Sequence, residues 1–264
     1  MDSTAYRKIF RDIVKGRSDV KIEGSKYYIK HLSSIDQVDI DEIKEVYYDK
    51  AIARGIPTQE DLLKDLKLNE TWTDVDEHEI TTQLNFIEQL HKNKTQLVLK
   101  SKIDKQNKLI KEAREKVREL ENKKHELIGV NAEDYSERRA NDHYIIKSFY
   151  SDKECIKPLF PEEKDYDSLY ADEVAYYINC YNEVFYMFEE LKIQEMILQD
   201  FYYIYFPFSD DTVGFFGKPV VELTYNQLKL IVYTKIFKNI FENNKHIPEK
   251  IKKDPEALLD YGSI

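Results

Sequence analysis

Acidic side chains are the residue type in this chain best suited to chemistry. Asp165, Asp167, Asp172 and Glu173 crowd the segment 165–173. Carboxylates that converge on one cleft can hold the two metal ions of a nuclease, which activate water and stabilise the leaving oxygen. Such a site also needs a scaffold that aims all the carboxylates at one point. Because we expect these residues in a loop and a helix start, a metal-dependent nuclease is the alternative hypothesis, not the leading one.

The other reactive residue types give weaker signals. The six histidines form no HExxH or HxH pair, and we interpret Asp76-Glu77-His78-Glu79 as an acidic helix start, where the helix dipole favours carboxylates. The two cysteines form no CxxC motif, and Cys180 among aromatic residues predicts a buried, inert thiol. No glycine-rich phosphate-binding motif is present. We therefore expect no catalytic residue, no cofactor and no metal ion.

Charge is distributed unevenly along the chain. The net charge is −10, yet residues 91–126 contain 12 basic and 6 acidic residues, whereas residues 152–213 contain 4 basic and 15 acidic residues. The basic stretch 92–124 is interleaved with glutamates and lacks aromatic residues for stacking on bases. We therefore predict a solvated coiled-coil face there, and nucleic acid is not the expected partner. A nucleic-acid-binding adaptor that uses this stretch remains the third hypothesis.

The aromatic pair Phe215-Phe216 stands between Gly214 and Gly217. We predict a loop from 207 to 219 whose glycines let both rings project into a hydrophobic pocket, with this chain's own core slightly preferred over a partner's. Candidate interface residues are Phe215, Phe216, Lys111, Arg114 and Arg118.

The elements that position these residues are mostly helices. With 34% charged residues and only seven glycines and seven prolines, the chain resembles long exposed helices more than a turn-rich β fold. Alternating residues on both sides of Gly24 predict one β-hairpin over 19–30. Apolar periodicity predicts helices over 3–14, 34–53 and 58–66.

The run from 73 to 128 contains no Pro or Gly and predicts one long helix or two. Its second half has an imperfect heptad seam, and a short loop at Gly129 leads to a helix over 131–150, which predicts an antiparallel helical hairpin. The seam residues are Leu99, Ile103, Gln106, Ile110, Ala113, Val117, Leu120, Lys124 and Leu127.

Aromatic-rich helices follow a proline-containing boundary at 151–167. Apolar residues surround most of the helix predicted over 168–191, which is typical of a helix buried in a bundle. Helices over 193–206 and 224–243 complete this region, and Thr224 to Gln227 forms a capping box. The predicted organisation is a mainly α fold with an N-terminal helical region at 1–74 that contains the β-hairpin, a long coiled-coil-like hairpin at 75–150, and an aromatic-rich bundle at 151–264.

Membrane and export signals are not recognised in the sequence. The chain starts Met1-Asp2-Ser3-Thr4 without an apolar run, and no apolar stretch approaches about 18 residues. We expect a cytoplasmic protein with no membrane partner.

Two sets of segments resemble proteins of large contractile-tailed bacteriophages, in the group of tail, baseplate and assembly factors. The first set is ARGIPTQEDLL at 53–63 with WTDVDE at 72–77; the second is FFGK at 215–218, LTYNQ at 223–227 and DPEALLDY at 254–261. The resemblance covers about half of the chain. It implies a virion component or an assembly chaperone in the cytoplasm of an infected cell, and it carries over no catalytic residue.

The leading hypothesis is therefore a phage structural or assembly protein that binds other proteins. The expected partners are phage structural proteins or further copies of this chain. The absence of a recognisable catalytic motif, the long charged helix and the surplus of Tyr and Phe all favour binding over catalysis.

Overall fold

The computed structural model describes residues 2–22, 24–94, 100–244 and 246–262. The chain is mainly helical, with 73% of its residues in helices and a small three-stranded antiparallel sheet near the N-terminus. The predicted fold class is confirmed.

The helices are α1 (Ser3–Lys15), α2 (Ser34–Ala53), α3 (Gln59–Leu68), α4 (Asp74–Lys94), α5 (Lys100–Ile128), α6 (Ala132–Ser148), α7 (Glu163–Asp167), α8 (Ala171–Tyr186), α9 (Glu190–Ile197), α10 (Thr212–Phe216), α11 (Tyr225–Asn243), α12 (Glu249–Lys252) and α13 (Pro255–Gly262). The strands are β1 (Arg17–Ile22), β2 (Ser25–Lys30) and β3 (Phe149–Tyr150), and 3-10 helices span Tyr203–Asp210 and Val220–Glu222.

The chain forms two compact units. The first unit contains Met1–Ile43 and Ala140–Ile264, and the second unit contains Lys44–Arg139. This grouping differs from the predicted segments 1–74, 75–150 and 151–264. Both boundaries between the units fall inside helices, one in α2 and one in α6. The predicted boundaries were placed at Pro, Gly and changes in composition, which mark loops and are not expected within a helix.

The sheet extends the predicted hairpin by one strand. β1 and β2 pair antiparallel from Arg17 opposite Lys30 to Ile22 opposite Ser25. β3 adds to β2, with Phe149 opposite Ile29. The helix predicted over 131–150 ends at Ser148 instead. Phe149 pairs with the sheet, and its fully buried ring packs in one apolar cluster with Ile22 and Ile29 of the strands.

Two apolar clusters form most of the core of the first unit. Cluster 1 joins α1, α9 and α11, and its fully buried side chains include Ile9, Ile13, Ile193, Met196, Ile197, Tyr202, Leu230 and Phe237. Cluster 2 lies at the sheet and contains Ile22, Ile29, Ile145, Ile146, Phe149, Phe160 and Tyr166. The predicted apolar face of α1 is confirmed, since Tyr6, Ile9 and Ile13 are buried.

The second unit contains the long helical hairpin, formed by α4 and α5 packing against each other. We predicted that the seam helix would pair with the helix after Gly129. Its partner is instead α4, because the described parts of the run from 73 to 128 form two helices, Asp74–Lys94 and Lys100–Ile128. Ile110, Ala113 and Val117 of the seam are buried. The polar seam residues are accommodated: Gln106 Nε2 donates to the Leu90 carbonyl at 3.0 Å, and Lys124 Nζ lies 2.6 Å from Glu77 Oε1. Leu99 lies outside the described residues.

The segment predicted as a loop over 207–219 contains helical turns. The 3-10 helix ends at Asp210, and α10 follows at once. Asp211 caps α10 by accepting a hydrogen bond from the Gly214 N–H at 2.9 Å, and Gly217 ends it at a φ of 66°. Gly214 therefore lies inside a helix, and of these two glycines Gly217 is the one with a left-handed backbone conformation.

Gln227 joins the N-terminal helix to α11. Its Nε2 donates to the carbonyls of Ile13 at 3.1 Å and Val14 at 3.2 Å, at the end of α1. Its Oε1 accepts from the Thr224 N–H at 3.0 Å, while Thr224 Oγ1 accepts from the Gln227 N–H at 3.2 Å. The predicted capping box is confirmed. The same side chain also donates to the last-turn carbonyls of α1, where Ile13 accepts from the Gly16 N–H as well.

We predict that Gln227→Met lowers the free energy of unfolding by about 2 kcal/mol, because it removes the two hydrogen bonds that the amide donates to α1 and the one that it accepts from the Thr224 N–H. Urea unfolding followed by circular dichroism measures this. The control Asn226→Ala, one position away, should stay within about 0.5 kcal/mol of the parent. Equal effects of the two substitutions would show that the bonds of Gln227 contribute little.

Candidate functional site: the exposed half of α8 and its adjoining cavity

Helix α8 has a packed half and an exposed half. Val174, Tyr177, Cys180, Tyr181 and Val184 recur at helical spacing and pack against cluster 2. No residue of α8 is fully buried. The prediction that apolar residues bury this helix on all sides is therefore wrong.

The exposed half of α8 carries large apolar side chains. Tyr176, Ile178, Phe185 and Tyr186 are 42%, 37%, 58% and 57% exposed. Single exposed apolar residues are common, but several on one helix half typically mark a surface that another molecule covers. Together with Asp172 and Glu183, these four residues are called the α8 surface below.

The charges of the α8 surface are all acidic. Asp172 and Glu183 are exposed, and α8 contains no Lys or Arg. Within the described ranges, neither carboxylate forms an ion pair. The α8 surface therefore combines aromatic rings with negative charge that is not neutralised by a neighbour.

A signal for this exposed half was present in the sequence. Asn179, Asn182 and Glu183 recur three and four residues apart, which places them on one side of the helix. Polar residues at this spacing indicate a solvated stripe. The count of apolar residues in the same segment concealed the stripe.

A cavity of about 410 Å³ opens beside the α8 surface, within the first unit. This volume lies in the range of binding pockets, about 300–1,000 Å³. Its lining residues come from β2 and the segment after it, α2, α6, α8, α11 and the segment between α8 and α9: Ile29, Lys30, His31, Leu32, Gln37, Tyr144, Tyr181, Asn182, Val184, Phe185, Phe188, Tyr225 and Asn226. Phe185 belongs both to the cavity and to the α8 surface.

The polar groups of the cavity wall are mostly uncharged or paired. Tyr144 Oη donates to Gln37 Oε1 at 2.6 Å. Burial raises the pKa of Tyr181 to about 12, so its hydroxyl keeps its proton. Lys30 Nζ lies 2.7 Å from Asp36 Oδ1. The wall therefore suits an apolar or aromatic group better than an isolated ion.

His31 is the titratable group buried in this wall. Burial lowers its pKa from 6.5 to about 3, so the imidazole is neutral near pH 7. Its Nε2 lies 2.9 Å from Ser18 Oγ, and its ring centroid lies 4.5 Å from that of Phe188. Ser18 is itself buried, and His31 Nδ1 has no hydrogen-bond partner among the described residues. The pair therefore lacks both the accessible hydroxyl and the orienting carboxylate of a nucleophilic triad.

The carboxylates considered for a nuclease serve partly as helix caps. Asp165 Oδ2 accepts from the Glu162 N–H at 2.9 Å, and Glu173 Oε2 accepts from the Tyr170 N–H at 2.8 Å. Asp167 and Asp172 are exposed. Across the described part of the chain, no group of three or more His, Cys, Asp or Glu residues could hold a metal ion.

The sequence-predicted interface residues belong to different units. Lys111, Arg114 and Arg118 are exposed on α5, and Arg114 Nη2 lies 3.2 Å from His91 Nε2. Phe215 and Phe216 are partly buried against cluster 1, with their ring centroids 4.7 Å apart in an edge-to-face arrangement. The two rings therefore contribute to the core of the first unit.

Comparison with protein-family models, with curated proteins and with solved structures found no match to this chain. None of the described helices has both the length and the apolar character to cross a bilayer.

We predict that Phe216→Ala lowers the free energy of unfolding by about 2 kcal/mol, because a partly buried ring loses its contacts with cluster 1. Val213→Ala on the same short helix removes an exposed side chain and should change stability by less than about 0.5 kcal/mol. Thermal or urea unfolding of both variants is the measurement. A Phe216 variant that unfolds like the parent would point to a partner surface instead.

We predict that His31 makes the protein less stable as the pH falls. Between pH values of about 3 and 6.5 the unfolded chain binds a proton that folded His31 does not, so the free energy of unfolding falls by about 1.4 kcal/mol per pH unit from this group. Urea unfolding at several pH values between about 4 and 6 should show a shallower slope for His31→Gln than for the parent. The exposed His246→Gln control should keep the parent slope, and a His31→Gln slope equal to it would contradict the prediction.

Proposed function

We propose that this chain is a structural or assembly protein that acts through protein–protein contacts, and that the α8 surface with its adjoining cavity is a main contact site. The observation that carries the proposal is the one-sided packing of α8. Four large apolar side chains remain exposed on a helix whose other half is partly buried against cluster 2.

The chemistry of the site favours a protein partner. Tyr and Phe rings supply a large contact area with little loss of side-chain freedom and are enriched at interfaces. The cavity beside Phe185 has room for one or two side chains of a partner. Its wall suits apolar anchors, because Lys30 in this wall is paired with Asp36. Hot spots of this type, in which a side chain fills a pocket, contribute much of the affinity of protein complexes.

The biological setting of the proposal comes from the sequence resemblance. The segments at 53–63, 72–77, 215–227 and 254–261 resemble tail, baseplate and assembly factors of contractile-tailed phages. We therefore propose that the chain acts in the cytoplasm of an infected cell, either as a component of the assembling tail or baseplate or as an assembly chaperone.

Site-specific photo-crosslinking tests the proposal. A photoreactive phenylalanine analogue at Phe185, introduced in cells that assemble the phage, should give adducts with structural proteins of the particle. The same analogue at Leu68, which is 81% exposed on the second unit, is the matched control and should give few. Adducts of equal yield at both positions, or none at Phe185, would refute the assigned contact site.

A further inference from the structure

We propose that the α8 surface binds the basic row Lys111, Arg114 and Arg118 on α5 of a second copy of this chain. The inference rests on the proposed function, because it names a partner for the same site. Lys111, Arg114 and Arg118 are called the α5 row below.

Unneutralised charge is the first observation that carries this inference. Within the described ranges, Lys111 and Arg118 form no ion pair, and the one polar side-chain contact of Arg114 is with the imidazole of His91. Asp172 and Glu183 on the α8 surface are likewise without a cationic partner there. An acidic surface and a basic row of this kind attract each other between molecules and steer their encounter.

The aromatic rings of the α8 surface are the second observation. A guanidinium group stacks on the face of Tyr or Phe, and Arg does so more readily than Lys. Tyr176, Phe185 and Tyr186 present three such exposed rings. The α5 row supplies two guanidinium groups and one ammonium, so it can engage both the rings and the carboxylates.

The dimensions of the two surfaces agree. Lys111 to Arg118 spans about 10 Å along α5, and Asp172 to Glu183 spans about 16 Å along α8, at 1.5 Å per residue. Lys111, Arg114 and Arg118 recur three and four residues apart, so they point to one side of α5. Long Lys and Arg side chains can reach across the difference in length.

Such a contact joins two different surfaces, so it is heterologous and not two-fold symmetric. Each copy offers one α8 surface and one α5 row, and repeated contacts generate a ring or an open filament. The same contact in a phage particle would position identical copies around or along a symmetric structure.

A second copy explains the α5 row better than nucleic acid does. Glu112, Glu115 and Glu119 lie close to the row on the same helix and would repel a phosphate backbone. On an acidic protein surface, by contrast, each Lys or Arg of the row can pair with one carboxylate or stack on one aromatic ring, and the glutamates beside the row can face solvent. Binding of nucleic acid by the row is therefore the competing outcome of the test.

The test begins with size-exclusion chromatography and light scattering of the purified chain. At about 0.05 M NaCl we expect oligomers that grow with protein concentration, and at about 0.5 M NaCl we expect dissociation, because salt screens the charges. A monomer at every concentration in low salt would overturn the inference.

Surface variants identify the two sides of the contact. Lys111→Ala/Arg114→Ala/Arg118→Ala, which removes the charges of the α5 row, should abolish self-association, and so should Asp172→Lys/Glu183→Lys, each with the circular dichroism spectrum of the parent. Lys102→Ala/Lys105→Ala on the same helix is the matched control and should still assemble. A control that dissociates equally would show a general effect of charge, not the proposed contact.

Mixing the α5-row variant with the α8-surface variant is the decisive step. The first retains an intact α8 surface and the second an intact α5 row, whereas the truncated row and the Lys-bearing surface have no opposite charge, so the mixture should form a 1:1 dimer that cannot grow further. Failure to form this dimer overturns the inference. A second outcome also overturns it: the parent chain stays monomeric but binds duplex DNA, and the α5-row variant loses this binding. That result would identify nucleic acid as the ligand of the row.

The two proposals fail separately. If the chain stays monomeric while the analogue at Phe185 still crosslinks to another phage protein, the contact site stands and only its assignment to a second copy is wrong. If the mixed dimer forms but no particle protein is crosslinked, self-association stands and the proposed role in the particle is wrong.

Discussion

The first unit depends on the buried amide of Gln227. It bonds two carbonyls at the end of α1 and closes the capping box of α11, so one side chain joins segments more than 200 positions apart in the chain. An amide is suited to this, because it donates and accepts at once and carries no charge that would be costly to bury. With α1 held against α11, the aliphatic side chains of cluster 1 become a shared core.

The second unit is stabilised in a different way, because its two long helices α4 and α5 pair along a seam that is only partly apolar. Ile110, Ala113 and Val117 are buried at the centre of the seam, and the polar residues Gln106 and Lys124 lie on either side of this centre. Gln106 bonds the Leu90 carbonyl and Lys124 pairs with Glu77, which also accepts from Trp72 Nε1 at 2.9 Å. Polar seam residues with partners favour one register over others, at some cost in stability.

The α8 surface follows from how the first unit is built. Cluster 2 needs only one half of α8 to cover the sheet, and the other half keeps its aromatic rings and carboxylates in solvent. The cavity lies where α8 meets the end of β2 and the start of α11, with Gln37 of α2 and Tyr144 of α6 also in its wall, so its shape depends on elements from distant parts of the sequence. Buried His31 and protonated Tyr181 keep its wall free of further charge, which matches the apolar character expected of an anchor pocket.

Local sequence patterns were enough to predict the helical character, the β-hairpin, the Thr224–Gln227 capping box, the apolar face of α1 and the exposure of the α5 row, because each depends on residues a few positions apart. The tertiary structure alone decided that α5 pairs with α4, that Phe149 leaves α6 to form β3, that α10 interrupts the expected loop, and that α8 is covered on one half only. The aromatic and acidic composition of α8 could therefore be read from the sequence, but neither the exposure of these residues nor the cavity beside them could be predicted. Periodicity states which side of a helix is apolar, whereas burial requires a second surface that comes from distant parts of the chain.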